Sequence, residues 1–300
     1  MKINGPGRGL RKHVLLWGIG VIFFLPFLDA RDIPPVFFNP VTGYFAGTIW
    51  LAARIEDELV RYAEEVERER KLKFFTAIID NDQPTFCAML NHGEDPNVVL
   101  PFPPPKEFTK KIHDELLGFY VAKEPGFTAL MTATATGNLP FVKMLLAAGA
   151  APYKMTSHYR TYALWLAGKY HYVEIMQSLL RLPPDSEAWK LRIVVDIASQ
   201  KATLFCDGRV ELETSISSGR ESHPTPRGLY VVTDKYPVWK SSLYHSAPMP
   251  LFLRLSCGDF GLHAGYLPGY PASHGCIRLP EKAARTLFTR VPEGTVVEIR

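Results

Sequence analysis

Pro271-Ala272-Ser273-His274-Gly275-Cys276-Ile277-Arg278-Leu279 is the stretch of this 300-residue chain that indicates its fold and chemistry most directly. Cys276 stands two residues after His274 and thirteen after His263. A thiol becomes a strong nucleophile when a base or a positive field favours its thiolate, and histidine is the usual base. Gly275 lets the backbone turn tightly beside a bound substrate. The stretch therefore predicts a nucleophilic cysteine of the kind used in acyl transfer.

The composition is typical of a globular protein, with 47% hydrophobic and 21% charged residues. A chain of 300 residues is long enough for about two domains. The net charge is only +4, and no dense cluster of lysine and arginine is interleaved with aromatic residues. This pattern argues against a protein that binds nucleic acid.

Residues 1–30 have the pattern of a signal peptide or a signal anchor. Basic residues at 2, 8, 11 and 12 precede an uncharged apolar run from Val14 to Leu28. A run of this length suits the apolar region of a secretory signal better than a spanning helix. Leu28-Asp29-Ala30 is a poor cleavage site, which favours a retained anchor with the bulk of the chain outside the membrane. The alternative is a buried N-terminal helix.

Residues 31–73 are expected to form a membrane-proximal segment followed by a charged helix. The apolar stretch from Val36 to Ala53 is interrupted by Asn39, Pro40 and Gly43, so it does not predict a second span. From Thr48 to Lys73, many charged residues accompany an apolar stripe at helical spacing. The charges are interpreted as a solvated helix face, and the helix as a stalk.

Residues 74–183 resemble ankyrin repeats. The stretch from Gly126 to Ala150 has the repeat's turn, Thr-Ala-Leu helix start, Gly-Asn turn and Leu-Leu-x-x-Gly-Ala ending. Thr161 follows Thr128 by 33 residues, which is the ankyrin period. An earlier copy begins near Phe75, and a proline-rich insertion from Leu100 to Pro125 separates it from the next. Three copies are about the minimum for a stable stack.

Two interpretations of the repeats stay open. They provide a concave surface for a protein partner in the cell envelope, or they are a spacer that positions the rest of the chain.

Residues 190–300 are expected to form a β-rich domain, which begins after the break at Leu182-Pro183-Pro184-Asp185. Asp207-Gly208 is a hairpin turn signal. The predicted strands are 191–197, 202–206, 210–214, 228–232, 250–255 and 295–299, and the predicted helix is 281–288.

The cysteine pattern leaves disulfide connectivity open. Export would place the four cysteines in an oxidising compartment. Cys87, Cys206 and Cys257 are the candidate partners, and no spacing singles out one pair. A bond between Cys206 and Cys257 would leave Cys276 free, as a nucleophile requires.

The β-rich region resembles the L,D-transpeptidase catalytic (YkuD-like) family. The resemblance is carried by His263-Ala264-Gly265 and by Ser273-His274-Gly275-Cys276-Ile277-Arg278, with Ser217-Ser218-Gly219 and Thr225-Pro226-Arg227-Gly228 upstream in the family's order. The expected fold class is therefore multidomain α plus β: an α-helical ankyrin-like repeat stack followed by a β-rich L,D-transpeptidase catalytic domain.

The resemblance implies roles for individual residues. Cys276 would form a thioester with a peptidoglycan stem peptide, and His263 would transfer the protons. Amides near Gly275 would stabilise the oxyanion, His274 would line the site, and Ser273 would support the catalytic histidine. Arg278 would bind a substrate carboxylate, and the further candidates for substrate binding are Tyr266, Tyr270 and Ser218. The resemblance implies no cofactor and no metal.

The resemblance also implies where the chain acts and what accepts the acyl group. The location would be the bacterial cell envelope, on the periplasmic side and anchored in the inner membrane. The acceptor would be an amine on another stem peptide or on an envelope protein, or water. The separation of thirteen residues between His263 and Cys276 is shorter than in many members of the family, which favours an open site with hydrolysis or an unusual acceptor.

Four alternatives stay open. An L,D-carboxypeptidase or amidase would use the same residues. A zinc hydrolase would use His274, Cys276 and either His263 or His245. Cys276 could be a buried structural thiol. A membrane-tethered ankyrin scaffold would bind peptidoglycan without reacting with it.

Overall fold

The computed structural model describes residues 13–15, 24–26, 42–241, 246–256 and 258–300. It contains two compact units, Met1–Glu67 and Arg68–Arg300. In the first unit, β1 (His13–Leu15) pairs antiparallel with β2 (Phe24–Pro26). The rest of the predicted signal segment, residues 1–30, lies outside the described residues. Among the helices that are described, none is both long and apolar enough to cross a membrane.

A single helix, α1 (Thr42–Ile79), includes the predicted charged helix and continues into the first repeat. The sequence from Thr48 to Ile79 contains no glycine or proline, so nothing breaks the backbone hydrogen bonds between the two predicted helices. Phe74, Phe75 and Ile78 are buried at its end. The expected division near residue 73 is therefore not a break in the helix.

Three helix pairs follow the ankyrin pattern. The helices are the end of α1 with α2 (Gln83–Asn91), α5 (Ala129–Ala135) with α6 (Leu139–Ala147), and α7 (Ala163–Lys169) with α8 (Val173–Leu179). Each turn within a pair contains a residue with positive φ: Asn81, Gly137 and His171. The same backbone turn therefore occurs three times.

Side-chain caps begin the second helix in the first two copies. Asp82 accepts a hydrogen bond from the Thr85 amide, and Asn138 accepts one from the Phe141 amide. Such caps satisfy amides that have no partner inside the helix. In the third copy Tyr172 holds this position without a side-chain cap.

The proline-rich insertion is ordered and packs on the repeats. It contains α3 (Lys106–Thr109) and α4 (Glu115–Lys123), and Asp114 caps α4 by accepting from the Leu117 amide. Leu117 and Val121 are buried in the same core as the repeat helices. The insertion therefore adds to the helical core.

The C-terminal region forms one eight-stranded sheet, in the order β5-β4-β3-β10-β6-β7-β8-β9. The strands are β3 (Leu191–Asp196), β4 (Lys201–Cys206), β5 (Arg209–Ser215), β6 (Gly228–Lys240), β7 (Pro248–Leu255), β8 (Gly261–Ala264), β9 (Ile277–Leu279) and β10 (Val296–Ile299). The pairs β3–β10 and β8–β9 are parallel, and all other pairs are antiparallel. Helix α9 (Glu281–Arg290) packs on β7 and β8. The predicted fold class is confirmed.

The repeats and the sheet share an interface within the second unit. The Gln177 side chain donates a buried hydrogen bond to the Gly294 carbonyl (3.0 Å), and the His171 Nδ1 lies 3.0 Å from the Leu229 carbonyl. Val231 of β6 packs in the helical core. Apolar packing is therefore continuous from the repeats into the sheet.

A close approach between β7 and β8 requires glycine at 261. A Cβ atom there would stand 2.0 Å from the Leu253 carbonyl oxygen of β7. We expect Gly261→Ala to lower the free energy of unfolding by about 3 kcal/mol, because backbone would have to move. Gly118→Ala in α4 is the control: its Cβ meets only Ile112 Cγ2 at 3.8 Å, so stability should rise by about 0.5–1 kcal/mol. Urea unfolding measures both, and equal stabilities would contradict the prediction.

Candidate active site

The parallel pair β8–β9 brings the predicted nucleophile and base together. Its register pairs Leu262 with Ile277 and His263 with Arg278. Leu262 and Ile277 are fully buried in the core of the sheet. Since side chains alternate along a strand, His263 and Arg278 lie on the opposite face, and Cys276 shares that face.

A cleft of about 530 Å³ opens on this face. His263, Cys276 and Arg278 line it, and the other lining residues named by the sequence are Ser273, His274, Gly275 and Tyr266. Met249 of β7 and Asp259 also line it, and no sequence pattern pointed to either residue. A cleft of this size accommodates a short peptide.

Hydrogen bonds fix the loop that carries the cysteine. Ser273 Oγ donates to the Cys276 carbonyl and accepts from the Gly275 amide (3.2 Å). Thr225 Oγ1 donates to the Gly275 carbonyl (2.9 Å) and accepts from the Gly219 amide (2.8 Å). Gly275 has φ +114°, a conformation that side chains disfavour. Both hydrogen bonds of the Ser273 hydroxyl stay within the loop that carries Cys276, and its predicted support of His263 stays a prediction.

A backbone carbonyl orients the imidazole of His263. Its Nδ1 lies 2.8 Å from the Ala264 carbonyl oxygen. A carbonyl can only accept, so Nδ1 carries the proton and Nε2 is the basic nitrogen. His263 is 6% exposed, and burial lowers its pKa below the usual value. The imidazole is therefore neutral at pH 7 and can accept a proton.

The Cys276 thiol is protonated in the resting site. Burial is the main cause that raises the pKa of this thiol above its ordinary value, and the negative charge of Asp259 adds to this. A backbone hydrogen bond from Gly261 and the positive charge of Arg278 act in the opposite direction. A neutral thiol beside a neutral imidazole fits deprotonation at the moment of attack, not a preformed thiolate.

The remaining predicted residues divide between the cleft and its surroundings. Tyr266 lines the cleft and is 79% exposed. His274 is exposed at the rim, with its ring 5.0 Å from that of His223. The aliphatic part of the Arg278 side chain packs against Gly265. A Cβ atom at position 265 would lie 3.1 Å from Arg278 Cγ. No described side chain or carbonyl accepts a hydrogen bond from the Arg278 guanidinium, so it is available to a ligand.

Ser218, for which the sequence predicted substrate binding, lies outside the cleft lining, and this role stays a prediction. This residue is fully buried, and its hydroxyl accepts from the Gln200 side chain at 2.7 Å. Its carbonyl accepts from the amides of Ala272 and Ser273, so it positions the nucleophile loop. Tyr270 is exposed outside the cleft lining, and its carbonyl accepts from Ser217 Oγ (2.8 Å). Substrate binding by Tyr270 stays a prediction.

The described residues contain no group of three or more His, Cys, Asp and Glu side chains placed to hold a metal ion. His245, which the zinc alternative could use, lies outside the described residues, as does Cys257. Cys87, Cys206 and Cys276 are free thiols.

The comparisons with known proteins agree with both resemblances. Residues 190–299 match the family model for the L,D-transpeptidase catalytic domain, and residues 125–157 match that for the ankyrin repeat. No curated protein matches the chain.

Several solved L,D-transpeptidases are similar to part of the chain. One from Mycobacterium smegmatis is 23% identical, with a TM-score of 0.35, over 37% of this chain and 58% of that chain. One from Mycobacterium tuberculosis is 24% identical (TM-score 0.36, 37% and 57%), and one from Enterococcus faecium is 29% identical (TM-score 0.34, 37% and 50%). The chain thus spans between half and three fifths of the length of these relatives.

The pH dependence of the alkylation rate of Cys276 reports the pKa of its thiol. With a raised pKa, the rate of reaction with iodoacetamide should keep rising above pH 9 and show no plateau between pH 6 and 8. Asp259→Asn should shift the profile to lower pH, and Arg278→Gln should shift it to higher pH, because these charges act on the thiolate in opposite directions. Mass spectrometry of the Cys276 peptide gives the rates. A plateau at neutral pH would indicate a thiolate–imidazolium pair instead.

Thr225→Val should destabilise the nucleophile loop. The change removes one buried acceptor and one buried donor, which costs about 1–3 kcal/mol in free energy of unfolding. Thr203→Val on β4 is the matched control, since no hydrogen bond of the Thr203 side chain occurs among the described residues. If urea unfolding gives the same loss for both variants, the Thr225 bonds do not hold the loop.

Proposed function

We propose that the chain is a cysteine acyltransferase acting on peptidoglycan stem peptides, with Cys276 as nucleophile and His263 as base. The observation that carries the proposal is the neutral His263, fixed by the Ala264 carbonyl on the same sheet face as Cys276 and in the same cleft. The match of residues 190–299 to the L,D-transpeptidase catalytic domain supports it.

The first half-reaction forms a thioester. Nε2 of His263 takes the thiol proton as Sγ attacks a carbonyl of the donor peptide, and the same nitrogen then protonates the leaving amine. By the family resemblance, the donor carbonyl belongs to meso-diaminopimelate, the third residue of a stem tetrapeptide, and the leaving group is the terminal D-alanine.

The charge that develops on the carbonyl oxygen needs hydrogen-bond donors. The Gly275 amide is already bonded to Ser273 Oγ, so we assign the oxyanion to the amides of Cys276 and His274. The Arg278 guanidinium lines the cleft and suits a substrate carboxylate. It also favours the thiolate electrostatically as the proton leaves.

The second half-reaction releases the acyl group to an acceptor. An amine on a second stem peptide gives a crosslink, and an amine on an envelope protein gives protein attachment. Attack by water makes the chain an L,D-carboxypeptidase, which is the second candidate. Both need the site outside the inner membrane, where peptidoglycan lies, and the basic and apolar N-terminal pattern supports this location. The ankyrin repeats suit a protein partner there.

Mass spectrometry of the chain with a purified stem tetrapeptide tests the proposal. We expect an acyl adduct on Cys276 and release of D-alanine, with peptide dimers if the acceptor is an amine and tripeptide if it is water. Cys276→Ala should abolish adduct and products, and His263→Gln should lower the rate by about 10²–10⁴-fold. Cys206→Ala, which removes a free thiol on β4, is the control and should react normally.

Absence of an adduct on the unsubstituted chain would contradict the proposal. If that chain still sedimented with peptidoglycan, the scaffold alternative would replace it.

A further inference from the structure

A second cavity of about 490 Å³ lies between the repeats and the sheet. One wall comes from the segment that leads into the third repeat and from α7, with Tyr159, Arg160 and Trp165. The facing wall comes from β7 and the turn after it, with Arg254 and Asp259. We call this cavity, defined by these five residues, the interdomain groove. Neither the repeats nor the sheet alone forms both walls of the groove.

Arg254 presents a positive charge to the groove, and no carboxylate of the described residues accepts a hydrogen bond from it. Its guanidinium lies 4.8 Å from the centre of the Trp239 ring and 5.4 Å from that of Tyr236. Its Nε is buried and has no hydrogen-bond partner among the described residues, and the nearest carboxylate oxygen, on Asp234, is 3.9 Å away. Buried donors without an acceptor are unfavourable. A ligand carboxylate would provide the hydrogen-bond acceptor that Arg254 Nε lacks, beside the more distant Asp234.

Arg160 adds a second positive group on the opposite wall. The one hydrogen bond of its side chain to the described residues goes to the Met155 sulfur at 3.6 Å, a weak acceptor. Tyr159, which is 59% exposed, and Trp165 provide an apolar surface beside it. Two arginines with aromatic neighbours suit a peptide with carboxylate groups better than an uncharged glycan.

Asp259 connects the groove with the catalytic cleft, because it lines both. It is exposed, and it makes no hydrogen bond or ion pair with the rest of the described chain. The next residue, Phe260, lines the catalytic cleft as well. A carboxylate at this place attracts an ammonium group that moves from the groove toward Cys276.

We propose that the interdomain groove binds the acyl acceptor, a peptide that carries carboxylates and a primary amine, and that Asp259 leads its amine to the thioester on Cys276. This inference rests on the proposed function and adds the repeats to the substrate-binding surface. Arg160 and Arg254 bind the carboxylates, and Tyr159 and Trp165 contact the apolar parts of the peptide.

The transfer step balances without a further reactant. The acceptor ammonium first loses a proton to water, and the free amine nitrogen then attacks the thioester carbonyl. The C–N bond forms, the C–S bond breaks, and His263 Nε2 takes the remaining excess proton from nitrogen and gives it to the Cys276 sulfur. The products are an amide and the thiol.

Transfer to two different acceptors, assayed separately and each in competition with water, tests the inference on the full chain. Stem tetrapeptide is the donor, and the acceptor is either a sugar-free stem tripeptide or hydroxylamine, a small nucleophile without carboxylates. The measured quantity is the ratio of aminolysis to hydrolysis at each acceptor concentration, by mass spectrometry. The variants are Arg160→Gln, Arg254→Gln and Asp259→Asn. Arg209→Gln, on the exposed β4–β5 hairpin, is the control.

We expect each arginine variant to raise the tripeptide concentration for half-maximal transfer about tenfold, because one charged hydrogen bond is lost. Asp259→Asn should raise it as well. The ratio with hydroxylamine should stay the same for the two arginine variants, since this nucleophile has no group for either arginine. The control should behave like the unsubstituted chain with both acceptors.

Three results would overturn the inference. Unchanged transfer to the tripeptide in both arginine variants would show that the groove does not bind it. An equal loss with hydroxylamine would assign the groove to the donor. Unchanged transfer to the tripeptide, together with a loss in a third assay whose acceptor is the tripeptide linked to its disaccharide, would assign the groove to the glycan. Failure of the proposed function is distinct, because the unsubstituted chain would then form no acyl adduct at all.

Discussion

The parallel pairing of β8 with β9 is the constraint on which the site depends. It sets His263 against Arg278 in register and brings Cys276 to the same face, although thirteen residues separate the histidine from the cysteine. On its other side β8 approaches β7 closely at Gly261, where even a methyl group would overlap a carbonyl. Leu262 and Ile277 anchor the same two strands in the core on the other face. Core packing and the positions of His263 and Cys276 therefore follow from one register.

Burial sets the protonation state of the reacting pair. Removing His263 and Cys276 from water disfavours the charged form of each, so the pKa of the base falls and that of the acid rises. Both side chains are therefore neutral at pH 7. Arg278 and Asp259 act in opposite directions on the pKa of the Cys276 thiol, and a charged ligand in the cleft would change that balance.

The sequence predicted most of the architecture because the local patterns agree with the tertiary structure. The turn at Asp207-Gly208, the helix after Leu279 and the ankyrin turns at Gly137 and Gly149 depend on residues close together in the chain. The family resemblance of residues 263–278 likewise predicted that Cys276 and His263 lie in one site, and both line the same cleft. Sequence reasoning failed where the answer depends on distant partners. Nothing in Ser218 itself indicates that Gln200 will bury it, and nothing near Met249 indicates that it will lie 4.0 Å from the Cys276 sulfur. The strands β8 and β9 were missed because three or four residues are too few to show a period.

The contact between the repeats and the sheet has a consequence for how the second unit unfolds. Separating them would expose Val231, take the Gln177 donor away from the Gly294 carbonyl and remove His171 from the edge of the Tyr230 ring. Two of these losses fall on β6, which lies inside the sheet, and the third falls on the turn before β10. A fragment that begins after Pro183 would therefore expose apolar surface at Val231 on β6, a strand inside the sheet. The repeats and the sheet resemble two sequence families, but they share these contacts, and we expect them to unfold together.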